Sequence, residues 1–455
     1  MPAGFTREDT IIATATAPGI GALAVVRLSG QTAHTMADRL IVGGLPPARA
    51  VTLRTLRAPS GEVLDEAMVI RYDGPRSFTG EDSVEIICHG GWVTAARILR
   101  AAVEIGARAA EPGEFTRRAV LNGKLDLLQA EAVNDLIRAE STAGAVLALR
   151  QLDGGLSQRI AGLREQILEL EALVAYEIDF PEEDDGPVDP ARIGRAIDAA
   201  VAATDQLIAT TPTGELVRQG AVVAIVGPPN VGKSSLFNAL LGRRRALVTD
   251  IPGTTRDALE AMLDVMPIPL RLVDTAGLRE STDIVEQLGV AVSREYLEQA
   301  QVVLACGDSR ETLAMALASA MAGSETTERV VPVWTKSDLN GAEEAMNETN
   351  VFHVSAVTGA GLDRLITHVS ALAGVQAGAP APDSPVVTHT RYRQVLLRAR
   401  DELLSFREAR AGASLPTTVS AVHLREAVRI LEELIGAVDI DDVLGKLFST
   451  FCVGK

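Results

Sequence analysis

A glycine-rich segment near the middle of the chain has the residue types and spacing that bind phosphate. Residues 227–234 match the pattern G-x-x-x-x-G-K-[ST] and follow a short apolar run that predicts a buried parallel strand. In such a loop the backbone N–H groups surround the phosphates, the lysine reaches the β and γ oxygens, and the hydroxyl binds Mg²⁺. The helix that follows directs its positive end at the anion. The residues assigned to this contact are Asn230, Val231, Gly232, Lys233, Ser234 and Ser235.

Two further elements are placed to respond to the γ-phosphate. Thr254-Thr255 lies about twenty residues after the loop, where a switch threonine coordinates Mg²⁺. Asp274-Thr275-Ala276-Gly277 follows the predicted strand 270–273. This position suits Asp274 for the outer shell of the metal and Gly277 for a γ-phosphate contact.

Two loops after later strands are predicted to read the base. Thr335-Lys336-Ser337-Asp338 follows the strand 330–334. The Asp338 carboxylate can accept two hydrogen bonds from the guanine edge, a pairing that adenine does not offer. Ser355-Ala356 follows the strand 351–354 and fits the loop that contacts the base carbonyl. The five elements in this order predict a guanine-nucleotide site, and an ATPase is the less favoured alternative.

Two positions depart from the usual pattern of such sites. Thr335 stands where Asn is usual, so we expect a weaker brace to the phosphate loop, with guanine preference retained by Asp338. Leu278 stands where Ras-like enzymes place the Gln that orients water, so Glu286 is the candidate for this role. The Asn230 side-chain oxygen suits K⁺, a cation that can supply positive charge where no arginine finger is identified.

The overall charge restricts how the chain can bind nucleic acid. The formal net charge is −17 and the sequence pI is about 4.9, whereas a protein that binds nucleic acid through a broad surface is normally basic. Any RNA contact must therefore use a local basic patch or a basic partner. The run 243–245 is interpreted as a solvated helix end.

The composition is that of a folded, cytoplasmic protein. The 455 residues predict about three domains, with 47% hydrophobic and 23% charged residues. No stretch approaches the ~20 apolar residues of a membrane span, and no apolar signal region follows the N-terminus. Cys88, Cys306 and Cys452 have no metal-ligand spacing, and the first two are interpreted as core residues. We therefore expect a cytoplasmic location and no membrane contact.

Local patterns divide the chain into four segments. Residues 1–122 mix short apolar runs with predicted helices, 123–217 and 376–455 have helical periodicity, and 218–375 alternate strands with helices. The predicted fold is a multidomain α/β and α architecture. It has an N-terminal α+β domain and a helical domain split by an inserted Ras-like, doubly wound P-loop domain. The acidic segment 181–187 is interpreted as a solvated turn rather than a cation site.

The chain resembles the MnmE (TrmE) family of tRNA-modification GTPases along essentially its whole length. Two parts of the resemblance are very specific to the family, namely the segment 112–126 (PGEFTRRAVLNGKLD) and the terminal Phe451-Cys-Val-Gly-Lys455. Phe78-Thr-Gly-Glu-Asp with His89-Gly-Gly and the first-switch segment 249–257 add to it. The nucleotide motifs themselves are shared with ribosome-assembly GTPases.

This resemblance implies an N-terminal domain that binds folate and dimerises, and a GTPase domain inserted in the helical domain. Members act as homodimers in a heteromeric complex with the flavoprotein MnmG (GidA). They place a 5-carboxymethylaminomethyl or aminomethyl group on the wobble uridine of certain tRNAs. The one-carbon source is a tetrahydrofolate derivative, 5-formyl- or 5,10-methylene-tetrahydrofolate. GTP hydrolysis requires Mg²⁺ and K⁺-dependent pairing of the GTPase domains.

The resemblance also assigns residues to these ligands. Ser234 and Thr255 would bind Mg²⁺, and Glu286 would position water. The implied K⁺ ligands are Asn230, Thr249, Ile251 and Thr254. The implied GTP contacts in the two switches are Thr249, Asp250, Ile251, Pro252, Gly253, Thr254, Thr255, Asp274, Thr275, Ala276 and Gly277. The implied folate contacts are Arg27, Glu85, Lys124 and Lys455, and Arg or Lys can pair with the glutamate tail of a folate.

Two alternatives stay open at this point. Cys452, in the terminal motif, is either a catalytic thiol or a structural residue, because a nucleophilic thiol needs surroundings that lower its pKa. The whole chain is alternatively a GTP-controlled switch in ribosome assembly without one-carbon chemistry. Such proteins typically carry a basic RNA-binding module, which the acidic composition does not indicate.

Overall fold

The computed structural model describes residues 9–179, 189–244, 260–274, 297–322, 327–339, 350–377, 385–411, 416–436, 448 and 451–454. The chain forms two compact units, one made of residues 1–134 with 432–455 and the other of residues 135–431. Within the described ranges, no helix is both long enough and apolar enough to cross a lipid bilayer.

The first unit is built on a six-stranded sheet. Its strands in chain order are β1 Ile11–Thr14, β2 Leu23–Ser29, β3 Val51–Arg57, β4 Val63–Tyr72, β5 Ser83–His89 and β6 Arg108–Ala109. Their order in space is β3-β4-β5-β2-β1-β6. All neighbours are antiparallel except β1 and β6, which are parallel.

Helices cover the two faces of this sheet unequally. Helices α1 Ala33–Leu40 and α2 Trp92–Glu104 pack on one face, over inward residues such as Val26, Val84 and Ile86. On the other face, Phe115 of helix α3 (Glu114–Leu121) covers Ile11 and Ala13. Because successive side chains of a strand alternate between faces, the central strands also present residues to this second face. Helix α4, Leu127–Arg138, follows.

The N-terminal elements confirm the predicted α+β class. The apolar runs 10–16, 22–28, 67–71 and 84–88, which predict strands, and the segments 31–40 and 92–105, which predict helices, form these elements with ends shifted by at most four residues. Strand β3 was not predicted. The cysteines assigned to the core, Cys88 and Cys306, are 1% and 0% exposed, and burial raises the pKa of the Cys306 thiol to about 12.

The second unit begins with helices. These are α5 Thr142–Leu152, α6 Gly155–Asp179, α7 Pro190–Ala209 and α8 Thr211–Gln219. In α6 the apolar residues from Leu163 to Val174 recur at helical spacing in the sequence, which predicts one packed stripe, and they are buried. The acidic segment 181–187 lies outside the described residues.

A second six-stranded sheet follows α8. Its strands are β7 Ala221–Val226, β8 Glu260–Leu263, β9 Leu270–Asp274, β10 Val302–Gly307, β11 Val330–Trp334 and β12 Phe352–His353, in the spatial order β12-β11-β10-β7-β9-β8. All neighbours are parallel except β8 with β9. Helices α9 Lys233–Arg244 and α11 Leu362–Ala377 cover one face, and α10 Arg310–Ala322 covers the other.

The chain then returns to helices α12 Thr390–Ala411 and α13 Thr417–Ile435. Buried residues Tyr392, Leu396 and Leu403 of α12 mark its packed side. A doubly wound sheet with helices before and after it in the chain confirms the predicted insertion of a P-loop domain into a helical domain.

Candidate functional site

The phosphate loop follows β7 at the carboxyl end of the parallel sheet. Its backbone needs unusual conformations, with φ at +64° for Asn230 and +93° for Gly232. At Gly227 a Cβ atom would lie 2.2 Å from the Cys306 carbonyl oxygen of β10, so only glycine fits there. The loop therefore lies directly against the neighbouring strand, at the strand ends where doubly wound folds bind ligands.

Three polar side chains with metal and phosphate chemistry meet at this loop. Ser234 Oγ lies 2.7 Å from Asp274 Oδ2, which joins the start of α9 to the end of β9. Lys233 Nζ donates to the Pro228 carbonyl at 2.7 Å and is 7% exposed. Asp274 is 5% exposed. A hydroxyl beside a buried carboxylate, on the residue directly after a lysine, has the ligand chemistry that would suit Mg²⁺ next to bound phosphate.

Thr335 braces the phosphate loop to the next strand. It is 3% exposed, and its hydroxyl lies 2.5 Å from the Val231 carbonyl oxygen and 3.1 Å from that of Gly307. The Thr335 hydroxyl therefore reaches the phosphate loop directly, and the weaker brace expected from sequence stays a prediction. The Thr335 N–H also donates to Gly307 at 2.8 Å.

Lys336 adds a second link between the base-reading segment and the loop. Its Nζ donates to the Asn230 carbonyl and to Asp308 Oδ2, each at 2.7 Å. The hydrogen bond from Lys336 holds the pKa of Asp308 below its ordinary value. Sequence reasoning missed Asp308, although its position directly after β10, at the carboxyl end of a parallel strand, was a usable signal.

The two base-reading loops are joined by backbone hydrogen bonds. Ser337 N–H donates to the Val354 carbonyl at 3.1 Å. Ser355 is fully buried, and its hydroxyl accepts from the Thr358 N–H at 3.1 Å. Asp338 is exposed at the end of the first loop, and Ala356 is half-buried in the second. This arrangement fixes the backbone and leaves the Asp338 carboxylate available to a ligand.

Several residues assigned from sequence lie outside the described residues. They are Thr249, Asp250, Ile251, Pro252, Gly253, Thr254, Thr255, Thr275, Ala276, Gly277, Glu286 and Lys455. The structure therefore brings together the phosphate loop, Asp274 and the two base-reading loops. The switch threonines and the water-positioning glutamate stay predictions.

A second polar cluster lies on the open face of the first sheet. Arg27 of β2 and Glu85 of β5 are paired in register, with Arg27 Nε and Nη2 at 2.9 and 2.7 Å from Glu85 Oε1. The Tyr72 hydroxyl donates to Glu85 Oε2 at 3.2 Å. The Arg27 guanidinium also lies 5.0 Å from the centroid of the Phe78 ring and 5.7 Å from that of Phe115.

One atom of this cluster has no hydrogen-bond partner among the described residues. Arg27 Nη1 is buried and makes no hydrogen bond with the described residues. A buried donor without an acceptor costs about 1–3 kcal/mol. The cluster is therefore suited to a ligand with a carboxylate or carbonyl oxygen and an aromatic ring.

Ionic contacts of α3 support the strand that carries Arg27. Arg118 is 2% exposed and lies 3.1 Å from Glu114 and 3.2 Å from Glu81. Glu81 in turn accepts from the Ser29 hydroxyl of β2 at 2.7 Å. Burial would raise the pKa of Glu114, but hydrogen bonds from Arg108 and the Glu111 amide outweigh it and lower that pKa. Glu114 is therefore held as a buried, charged carboxylate.

The terminal segment packs on the same unit. Phe451 is buried with Leu127, and Val453 forms an antiparallel bridge with Pro112. A Cβ atom on Gly454 would lie 2.3 Å from the Thr14 carbonyl oxygen, so the segment approaches the end of β1 closely. Cys452 is exposed, and its carbonyl accepts from the Gly113 N–H at 3.3 Å.

Among the described contacts, Lys124 makes none with Arg27 or Glu85. It is exposed, and its side chain packs near Gly80, where an added Cβ would lie 3.2 Å from Lys124 Cγ. Sequence reasoning missed Tyr72, Phe78 and Phe115 as neighbours of Arg27. Phe78 and Phe115 lie in motifs that were recognised, whereas Tyr72 carried no signal of its own.

Comparison with known proteins covers nearly the whole chain. Residues 10–124 match the family described as the GTP-binding protein TrmE N-terminus, and residues 127–452 match the MnmE helical domain. Proteins named tRNA modification GTPase MnmE from Methylorubrum populi, Aquifex aeolicus and Desulforamulus reducens are 44%, 39% and 37% identical to the chain. The alignment with the M. populi protein covers 99% of this chain and 98% of that protein. The alignments with the A. aeolicus and D. reducens proteins each cover 98% of this chain and 100% of the relative.

One solved structure with a related domain is the G domain of the T. maritima FeoB iron transporter. It is 26% identical, with a TM-score of 0.25, and the match covers 34% of this chain and 98% of that chain.

Proposed function

The chain belongs to the MnmE (TrmE) family of tRNA modification GTPases, and from this we propose that it hydrolyses GTP to drive a tRNA modification. With a flavoprotein of the MnmG (GidA) type, it installs a 5-carboxymethylaminomethyl or aminomethyl group on the wobble uridine of certain tRNAs. A tetrahydrofolate derivative supplies the carbon. The observation that carries this proposal is the match to named tRNA modification GTPases over 98–99% of the chain.

Binding of GTP and Mg²⁺ uses the assembled loop. Lys233 and the loop amides hold the phosphates, while Ser234 and Thr255 bind Mg²⁺, with Asp274 in the outer shell. The contact of Ser234 Oγ with Asp274 Oδ2 at 2.7 Å supports this assignment. Bound Mg²⁺ neutralises charge that develops on the phosphate oxygens.

Guanine is selected by the two base-reading loops. The Asp338 carboxylate accepts from the two N–H groups of the guanine edge, and the Ser355-Ala356 segment contacts the base carbonyl. The hydrogen bond between Ser337 and Val354 supports a fixed spacing of these loops. Such preorganised donors and acceptors distinguish guanine from adenine, because the wrong base would leave polar groups unpaired.

Hydrolysis uses a monovalent cation and a carboxylate. Asn230, Thr249, Ile251 and Thr254 provide oxygen ligands for K⁺, and Glu286 orients the attacking water. The φ of +64° at Asn230 is a left-handed backbone conformation, and such a conformation at a ligand-binding loop supports a functional role for this residue. GTP turnover should rise strongly when K⁺ replaces Na⁺ at fixed ionic strength, and equal rates in the two salts would contradict this part of the proposal.

The folate derivative binds at the Arg27 cluster. The buried Arg27 Nη1 needs an acceptor, and the Phe78 and Phe115 rings beside it suit a flat pterin or benzoyl group. Lys124 and Lys455 add positive charge for the glutamate tail. We assign Cys452 no covalent step, because its position beside Gly113 explains the terminal motif as a packing element.

A homodimer explains the open face of the first sheet. Leu53 of β3 is 62% exposed, and its register partner Met68 of β4 is 36% exposed. Ile87 of β5 and Val25 of β2 continue the same row as half-buried residues. A row of apolar side chains across four strands is typical of an interface between subunits.

The experiment that tests the proposal is calorimetric titration of the full chain with 5-formyltetrahydrofolate, followed by reconstitution. Reconstitution combines the chain with GTP, K⁺, the flavoprotein and a tRNA transcript that has uridine at the wobble position, and mass spectrometry reads the uridine. Saturable folate binding and a modified nucleoside are expected. GTP hydrolysis without folate binding or modification would instead favour the ribosome-assembly switch.

A further inference from the structure

The charge of the chain is unevenly distributed. Residues 1–124 contain 14 Lys and Arg and 13 Asp and Glu, whereas the whole chain contains 43 and 60. The first part is therefore nearly neutral within a strongly acidic protein. Within it, residues 39–61 contain four arginines and no acidic residue. These four, Arg39, Arg49, Arg54 and Arg57, are called the arginine edge.

The arginine edge lies along the outermost strand of the first sheet. Strand β3 is the terminal strand of the sheet order, and Arg54 and Arg57 lie on it opposite Ala67 and Val63 of β4. Arg49 precedes β3 by two residues. Arg49 donates its N–H to Arg71 and Arg57 pairs with Val63, two positions eight residues apart on β4, so at about 3.3 Å per residue the two arginines are separated by roughly 25 Å. The edge thus forms a line of positive charge rather than a single point.

Arg39 extends this charged surface from the preceding helix, with its guanidinium directed toward the end of α2 rather than along β3. It lies near the end of α1, and the bridge between Ile41 and Leu56 brings the chain after that helix alongside β3. Arg39, Arg49 and Arg57 are exposed, and Arg54 is half-buried. Three of the four guanidinium groups are therefore accessible to a large partner.

The arginine edge is oriented by backbone carbonyls. Arg49 Nη2 lies 2.9 Å from the Arg76 carbonyl, Arg54 Nε 3.1 Å from that of Gly44, and Arg57 Nη1 2.8 Å from that of Gly61. Arg39 Nη1 lies 3.5 Å from the carbonyl of Ile105. A carbonyl fixes the guanidinium plane but does not cancel its charge.

Two other arginines of the same unit are paired with carboxylates. Arg97 lies 2.6 Å from Glu62, and Arg71 lies 2.8 Å from Asp73. Among the described residues, the arginine edge has no carboxylate within 4.0 Å. The four arginines of the edge are therefore oriented cations without a nearby carboxylate, whereas Arg97 and Arg71 form surface ion pairs.

The backbone of Arg49 is held in a costly conformation. Its φ is +63°, in the left-handed region, and its N–H donates to the Arg71 carbonyl at 2.8 Å. A non-glycine residue in this region costs about 1–3 kcal/mol, and such strain concentrates at functional positions. The local fold therefore maintains the position of this arginine against its backbone preference.

We propose that the arginine edge binds the phosphate backbone of the tRNA, an inference that rests on the proposed function. Arginine matches phosphate with two parallel N–H donors, and RNA is a dense polyanion. The rest of the chain has 29 Lys and Arg against 47 Asp and Glu, so its net charge does not favour a second broad contact with RNA. The charge of the edge, its roughly 25 Å length and its exposure fit an extended polyanion.

The test is tRNA binding by the full chain at several salt concentrations. The probe is a fluorescent tRNA transcript with uridine at the first anticodon position, followed by anisotropy from about 50 to about 200 mM KCl. Arg39→Gln with Arg49→Asn and Arg57→Gln removes the three exposed charges, and Asn tolerates the left-handed backbone. Binding at about 50 mM KCl should weaken at least tenfold, and the slope of log K against log salt should fall by about 2–3.

The matched control removes two arginines that have carboxylate partners, the half-buried Arg97 and the exposed Arg425, as Arg97→Gln with Arg425→Gln. It should leave tRNA affinity within about twofold of wild type. Arg57→Gln alone should lower the slope of log K against log salt by about 1. The fold should stay intact, because the described hydrogen bond of the Arg57 side chain goes to its own hairpin turn. GTP turnover and 5-formyltetrahydrofolate binding should be unchanged in each variant.

Four results would overturn the proposal. The first is no tRNA binding by the wild-type chain, and the second is an unchanged slope of log K against log salt in the triple variant. The third is an equal loss of tRNA affinity in the control pair. The fourth is a triple variant that binds tRNA normally and loses affinity only for vesicles of anionic lipid. Failure of GTP turnover or folate binding in the wild-type chain would instead reject the proposed function, since neither enters the anisotropy measurement.

Discussion

Replacing Thr335 by Val tests how the phosphate loop is held. Val keeps the shape of the buried side chain but removes the hydroxyl that lies 2.5 Å from the Val231 carbonyl oxygen and 3.1 Å from that of Gly307. Gly307 keeps the Thr335 N–H as a donor, whereas the Val231 carbonyl loses the hydroxyl. Loss of a donor to a buried carbonyl costs about 1–3 kcal/mol.

This cost should appear in nucleotide affinity as well as in stability. The brace joins the loop that holds the phosphates to the segment that reads the base. Without the Thr335 hydroxyl, nucleotide binding must also order the phosphate loop. A cost of about 1–3 kcal/mol corresponds to roughly 5- to 150-fold in Kd. We expect GDP and GTP to bind about tenfold more weakly to Thr335→Val, measured by titration of a fluorescent guanine nucleotide beside thermal unfolding.

Two variants separate the brace from a general loss of stability. Thr388→Val removes an equally buried hydroxyl, which accepts from Gln151 Nε2 at 2.9 Å in the helical domain, and should lower stability without lowering nucleotide affinity. Thr335→Asn restores a donor at the brace and should recover most of the affinity. The reasoning is refuted if Thr335→Val binds nucleotide within twofold of wild type while it unfolds at the same lowered temperature as Thr388→Val.

Three further changes have outcomes that follow from the contacts described. Ser234→Ala should weaken GTP binding at least tenfold with Mg²⁺ present and little in its absence, and an equal loss in both titrations would contradict the metal role. Arg27→Gln should abolish binding of 5-formyltetrahydrofolate in calorimetry and cost about 2 kcal/mol or more in urea unfolding, because Glu85 loses its partner. Adding Glu85→Gln should recover part of that stability but not the binding, and recovered binding would remove the cluster from the folate site. The lowered pKa of Asp308 means that its contribution to stability is present above the ordinary aspartate value and lost as pH falls through the folded pKa. The stability difference between wild type and Asp308→Asn should therefore shrink from about pH 5 to about pH 3, and a constant difference would contradict the ion pair with its lysine partner.

The inserted domain could be predicted from sequence because its signals are local. The motif 227–234 needs only a strand before it and a helix after it, and apolar runs such as 221–226 supply the strands. Parallel strands buried on both faces are continuous apolar runs. They can therefore be located along the chain without knowing which strands they pair with. Asp274, Thr335 and Ser355 then follow strand ends that the sheet brings to one edge.

The N-terminal site could not be worked out from residue spacing. Arg27 and Glu85 are 58 residues apart and meet only because β2 and β5 pair in one register. Register depends on pairing between strands, which no local pattern specifies. The family resemblance named both residues, but Tyr72 entered only with the structure.

Strand β3 was missed for a different reason. Its outward residues Val51 and Leu53 are exposed, and Leu56 is buried on the opposite face, with a register irregularity beside it. The alternation of apolar and polar residues is therefore irregular within this seven-residue strand, in which three polar or charged residues lie between the apolar ones. An edge strand with arginines is a common way to limit unwanted strand pairing.

Hydrolysis of GTP and XTP by wild type and Asp338→Asn, measured in K⁺ and Mg²⁺, tests the central assignment most directly. In the proposed site Asp338 accepts from the guanine N–H groups, whereas Asn would offer an amide donor to the second carbonyl of xanthine. Wild type should hydrolyse GTP and leave ATP and XTP largely untouched, and the variant should lose GTP and gain XTP turnover. Equal turnover of GTP and ATP by wild type, or GTP turnover unchanged in Asp338→Asn, would contradict the guanine-nucleotide site.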